Sequence, residues 1–103
     1  MSVDTTDVVI DEKIKKEILM PSKYNVIMIN DEVTPIEWVI SVLKEIFKHS
    51  ATSAEALTMA IHNEGSAVIG TYNYEVAEQK AHEAVSASRN HGFPLQLKIE
   101  EAK

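Results

Sequence analysis

The sequence predicts an α+β domain: one small sheet with three helices on one face, in the order β-α-α-β-α-β, behind a flexible N-terminal tail. Three observations predict it. Short strand-like runs recur, YNVIMI at 24–29, SAVIGTY at 66–72, and the alternation of Leu95, Leu97 and Ile99 with Gln96 and Lys98. Between them lie longer runs with helical spacing, each opened by a capping residue. The six elements interleave within about 80 residues, which suits a single sheet with a helical layer.

Residues 1–20 lack Gly, Pro and aromatics, and mix Asp4, Asp7, Asp11, Glu12 and Glu17 with Lys13, Lys15 and Lys16. They read as a flexible extension with a transient helix near Lys13–Leu19, or as an ordered helix packed on the domain. Pro21-Ser22 marks the break, and residues 21–103 form the folded domain. The run 24–29 is apolar on both faces, as a covered strand should be. Thr34 reads as an N-cap, with Pro35 at the first helical position and Glu37 closing a capping box. Ile36, Val39, Ile40, Leu43, Ile46 and Phe47 then carry a helix to about Lys48. A second box, Thr52 to Glu55, opens a shorter helix from Ser53 to about Asn63, and Gly65 ends it. Gly70 marks a kink or bulge in the second strand. Asn73 caps a third, alanine-rich helix from Tyr74 to about Asn90, with Gly92 as its stop.

Composition excludes several classes of function. The chain has 103 residues, enough for one compact domain. Its net charge is −6 and Arg89 is its only arginine, so it has no basic stripe for nucleic acid. An acidic surface suits a cationic ligand such as a peptide's terminal ammonium. The chain has no cysteine, which removes disulfides, thiol nucleophiles and Cys-type zinc sites. That usage fits a reducing cytoplasm. No apolar run is long enough to span a membrane, and the acidic start MSVDTTDVVIDE does not read as a signal peptide.

The search for chemistry finds no catalytic constellation. His49, His62, His82 and His91 include no pair at i, i+4 with a carboxylate in HExxH fashion, so no metal site is expected. There is no phosphate-binding glycine loop and no GxSxG elbow, so neither a cofactor nor an enzyme activity is expected. Two places remain informative. Asn30-Asp31-Glu32 sits at the first strand-to-helix turn, where acidic residues also favour the helix dipole. His62 sits near a helix end with Thr58 and Ile61 on its face, where it could equally bond helix carbonyls.

Taken together these places resemble the ClpS family, the adaptors of the Clp protease. The run PSKYNVIMINDEVTPIEWVISVLKEIF resembles that family's strand leading through Asn-Asp-Asp/Glu-x-Thr-Pro into a helix. ALTMAIHNEGSAVIGTYNYEVAEQK resembles its second signature, a helix ending in His, then x-x-Gly, a strand and a Glu-Val-Ala-Glu-x-Lys helix start. HGFPLQLKIEEA resembles its last strand, so the likeness covers about residues 21–102.

The resemblance implies an antiparallel three-stranded sheet against three helices. It implies an adaptor that grips proteins by a bulky hydrophobic first residue, typically Leu, Phe, Tyr or Trp. These N-degron proteins go to a ClpA- or ClpC-type AAA+ unfoldase feeding ClpP, with the N-terminal extension needed for hand-off. By residue, it implies Asn30, Asp31 and His62 at the α-ammonium and first peptide group. It implies Thr34, Ile36, Val39, Thr58, Ile61 and Leu95 at the hydrophobic pocket, and Glu75 and Lys80 against the unfoldase. Two departures stand out. The family often carries Met at the positions of Ile36 and Thr58; here Thr58 is expected either to bring a hydroxyl toward a wider pocket that favours Phe and Trp over Leu, or to face the core or bond its hydroxyl back to the helix and leave the preference unchanged. The competing reading is a small α+β interaction domain without such a pocket. In that reading Asp31 and His62 are unrelated in space.

Overall fold

A computed structural model of the chain describes residues 22–102. The proposed extension, residues 1–20, lies outside the described residues. Strand β1 (Tyr24–Ile29) is followed by helices α1 (Ile36–Glu45) and α2 (Ala51–Glu64), strand β2 (Ser66–Tyr72), helix α3 (Tyr74–Asn90) and strand β3 (Gln96–Glu101). The order is the one the sequence predicts. The strands form an antiparallel sheet, β2-β1-β3, with β1 at its centre.

Alternation sorts the sheet into two faces. Val26 and Met28 of β1 are fully buried, opposite Ile99 and Leu97 of β3. The core they open includes Val39, Leu43, Ile61 and Ile69. Helix α3 lies on it with Ala77, Ala81, Ala84 and Ser88, small residues at helical spacing that let the two backbones approach closely. Gly70 does mark a bulge. Val26 pairs with Gly70 and Ile27 with Val68, so Ile69 is the extra residue on β2. A Cβ on Gly70 would collide with the Tyr72 ring.

The helix starts differ from expectation at two of three places. Asn73 caps α3 as predicted, accepting from the Val76 N–H at 3.0 Å. But Thr34 does not cap α1: the boundary residue is Pro35, and no side chain caps it. The Thr34 hydroxyl donates instead to Asp31 at 2.8 Å. A side chain turned back to donate its hydroxyl proton to the loop carboxylate is not aimed at the first N–H groups of the helix, so its oxygen accepts none of them. Helix α1 also stops at Glu45, short of Lys48. Lys48 adopts the left-handed region at φ 62°, which an α-helix cannot contain.

Helix α2 begins at Ala51, ahead of the predicted Ser53, with Ser50 as its cap, and the box from Thr52 to Glu55 is not made. The cause is the anchor just before it. His49 Nε2 lies 2.6 Å from the Ile69 carbonyl, which can only accept, and Nδ1 lies 3.2 Å from Ser53 Oγ. The chain is held at His49, and Ser50 is the first residue free to open a helix. At its other end α2 runs to Glu64, and Gly65, at φ 94°, closes it with its N–H on the Ile61 carbonyl.

Candidate functional site

The site grows from the joint between β1 and α2. Where β1 ends, the Asn30 N–H donates to the Gly65 carbonyl at 2.9 Å. That bond brings the loop after β1 against the last turn of α2, which carries His62. The loop is then folded on Asp31. Its Oδ1 accepts from the Val33 N–H at 2.8 Å and the Thr34 N–H at 2.7 Å, while Oδ2 accepts the Thr34 hydroxyl. This is the local turn that Asp makes with backbone groups two and three residues on.

Burial alone would push the Asp31 carboxyl up. The Thr34 N–H, the Thr34 hydroxyl and the Val33 N–H together outweigh it and hold the group below its ordinary value. Asp31 is therefore an anion at neutral pH. Three bonds on a carboxylate with about four lone-pair positions leave it room for a further donor.

A pocket of about 690 Å³ opens beside this loop. Asn30, Asp31, Thr34, Ile36, Val39, Thr58, Ile61, His62 and Leu95, nine residues from four separate parts of the chain, all line it. Its interior is apolar and buried, from Val39, Ile61 and Leu95. Its mouth is half apolar and half polar. Val33 is 63% exposed and Ile36 48%, on one side. Asn30, Glu32 and His62 are exposed too, and their side chains make no hydrogen bond among the described residues. Such groups can take a cationic donor without first breaking an internal bond.

Thr58 turns its hydroxyl the second of the two expected ways. It lines the pocket and is 4% exposed, but its hydroxyl donates back to the Ala54 carbonyl at 2.7 Å. The donor is used within α2 rather than offered to the cavity, so Thr58 acts on a ligand through its size.

Sequence reasoning had not assigned Met28, Ile29, Glu32, Val33 or Pro35 to the pocket, yet they line it. Met28 and Ile29 carry the pattern of a covered strand, which is also what an apolar pocket floor looks like. Glu32 and Val33 could have been found from the Asp-x-x-Thr spacing, which wraps the intervening residues around Asp31.

Glu75 and Lys80 sit apart from the pocket, on α3. Glu75 is exposed in the first turn. Lys80 is half-buried: its ammonium donates to the Ile46 carbonyl at 2.8 Å and lies 5.5 Å from the centre of the Tyr72 ring. It caps the chain leaving α1 and makes a cation–π contact. Among the described residues no group of three or more His, Cys, Asp or Glu could hold a metal ion, and no helix is long and apolar enough to cross a membrane.

Comparison with known proteins adds three kinds of likeness. The profile of the family described as "ATP-dependent Clp protease adaptor protein ClpS" matches residues 20–98. Proteins of that name from Treponema denticola and Leptothrix cholodnii are each 39% identical to this chain, over 87 and 99 residues. The alignments cover 84% and 96% of this chain and 86% of each relative. A relative from Burkholderia cenocepacia is 35% identical over 99 residues, covering 96% of this chain and 95% of its own length. Among solved structures, Agrobacterium tumefaciens ClpS2 bound to L-phenylalaninamide superposes with a TM-score of 0.77 at 38% identity. It covers 80% of this chain and 99% of its own.

Proposed function

This chain belongs to the ClpS family, the adaptors of the ATP-dependent Clp protease, and on that premise we propose that its pocket holds the free first residue of client proteins. The clients are proteins whose first side chain is bulky and hydrophobic, such as Leu, Phe, Tyr or Trp. ClpS proteins serve the protease as adaptors and are not its peptidase.

In this reading the client's α-ammonium lies at the polar mouth, against Asn30, Asp31 and His62. An ammonium has three donors and no acceptor, and Asp31 supplies the compensating charge. The side chain enters between Ile36, Val39, Thr58, Ile61 and Leu95, while Thr34 keeps Asp31 in place. One observation carries the proposal: an anionic loop and an apolar cavity share a single pocket, the shape of a ligand with a cation beside a hydrophobic group. A pocketless interaction domain would leave Asp31 and His62 unrelated, whereas both line this cavity. The ligand of the A. tumefaciens neighbour, L-phenylalaninamide, is a free amine beside a benzyl group and supports the same reading.

Delivery would run to a ClpA- or ClpC-type AAA+ unfoldase feeding ClpP, with α3 as the contact. Glu75 is free to meet that partner directly. Lys80 meets it only with the donors left over from Ile46.

The test is fluorescence anisotropy with peptides differing only in the first residue. Burying Leu or Phe contributes roughly 1.5–3 kcal/mol, and each charge-assisted bond about 1.5–3. Association entropy removes several kcal/mol, so Kd should fall at about 1–10 μM. If acetylating the peptide's amine leaves its affinity unchanged, the ammonium site is wrong.

A further inference from the structure

Behind the pocket, α1 and α3 are joined by a bond between side chains 50 residues apart. The Trp38 indole N–H donates to Ser88 Oγ at 2.8 Å, and that hydroxyl donates onward to the Ala84 carbonyl at 2.8 Å. Ser88 is fully buried, one of only two buried polar residues among those described. The Trp38 ring also meets the chain leaving α3. Its centre lies 4.4 Å from that of His91 and 5.6 Å from that of Phe93, and the His91 and Phe93 rings stack at 6.2 Å.

Both ends of this knot run directly into the pocket. Val39 follows Trp38 on α1, and Leu95 comes just after Phe93-Pro94; both are buried pocket-lining residues. Among the described residues, two side-chain hydrogen bonds hold α3 to α1 and its exit: Lys80 to the carbonyl of Ile46, the residue after α1, and Ser88 to Trp38 in the first turn of α1. Only the second lies beside the pocket.

We propose that the Trp38–Ser88 knot fixes the spacing between the Val39 wall and the Leu95 wall, and so determines which first residues the pocket accepts. The inference rests on the pocket being the first-residue site. Trp38 and Ser88 are positioning residues in this scheme and touch no ligand. A large side chain meets both walls at once, so it gains most when the walls are held in register. A smaller side chain makes fewer simultaneous contacts and is less sensitive. Losing one neutral hydrogen bond's worth of this preorganisation corresponds to about five-fold in affinity.

The experiment measures Phe-starting and Leu-starting peptides against the full chain, Trp38→Phe, Ser88→Ala and the double variant. The wild type is expected to bind both. Each single variant should weaken the Phe peptide about five-fold and the Leu peptide less than about two-fold. The double variant should lose no more than either single one, because both changes cut the same bond. A change in stability alone lowers the folded fraction and scales both affinities by the same factor, leaving their ratio untouched. Ser88→Ala keeps the indole and puts a good helix former in α3, so it carries the test should Trp38→Phe not fold. An unchanged Phe-to-Leu ratio in the variants, or losses that add in the double, would overturn the inference while leaving the site intact. Failure of the wild type to bind either peptide would overturn the first-residue reading itself.

Discussion

Three donors converge on the Asp31 carboxylate, all from two residues just after it, Val33 and Thr34. The group that would charge the pocket therefore also folds its mouth. Glu32, its neighbour, is exposed and bonded to nothing among the described residues, and an exposed charge contributes little. Asp31→Ala should accordingly weaken peptide binding more than Glu32→Ala; equal losses would point to a general field rather than a contact. A pH dependence follows as well. The folded-state value of Asp31 is depressed, so its stabilisation is present above the unfolded value of 3.8 and is lost as pH falls through the folded one. Asp31→Asn lacks that titration. The gap in melting temperature between wild type and Asp31→Asn should be largest near neutrality and shrink below about pH 4. A gap that stays constant down to pH 3 would mean the carboxylate's charge does not hold the loop.

At the scale of elements, the helix caps separate what the sequence could say from what it could not. Strand runs, the Asn73 cap and the Gly65 stop follow from residues adjacent in the chain, and the fold order was legible from them. The starts of α1 and α2 were not, because each is set by a partner elsewhere. Thr34 is captured by Asp31, and the Ser50 start is fixed by His49 reaching across to Ile69. Both Thr-x-x-Glu boxes were sound local patterns overridden by such anchors. The pocket shows the same division. The residues of its polar end stood out in the sequence but only the family resemblance joined them into one site, and Met28 and Ile29 of its lining were indistinguishable from core. The cap assignment is testable by chemical denaturation. Ser50→Ala should cost about 0.5–2 kcal/mol, whereas Thr52→Ala should stay within about 0.5 kcal/mol of wild type. The opposite order would restore the box.

At the scale of the whole molecule, the pocket-lining residues among those described run from Met28 to Leu95. A chain lacking residues 1–20 should therefore bind a Leu-starting peptide as tightly as the full chain. Hand-off, which the family resemblance assigns to the extension, should fail. Degradation of a Leu-starting reporter by the unfoldase and peptidase reads the second effect, and full delivery by the truncated chain would show the extension to be dispensable. The bulge at Ile69 bears on a different hazard. The sheet has two outer strands, and β3 guards its rim with Lys98, Glu100 and Glu101. Strand β2 has no charged residue at all, the condition under which one chain invites another to pair along it. Midway along that rim the ladder slips by a residue, and the Ile69 carbonyl is already taken by His49. A stray strand laid along β2 meets a gap where it needs an acceptor. An extra residue and a histidine then do at this rim what charges do elsewhere. They leave β2 a poor template for a strand of another chain.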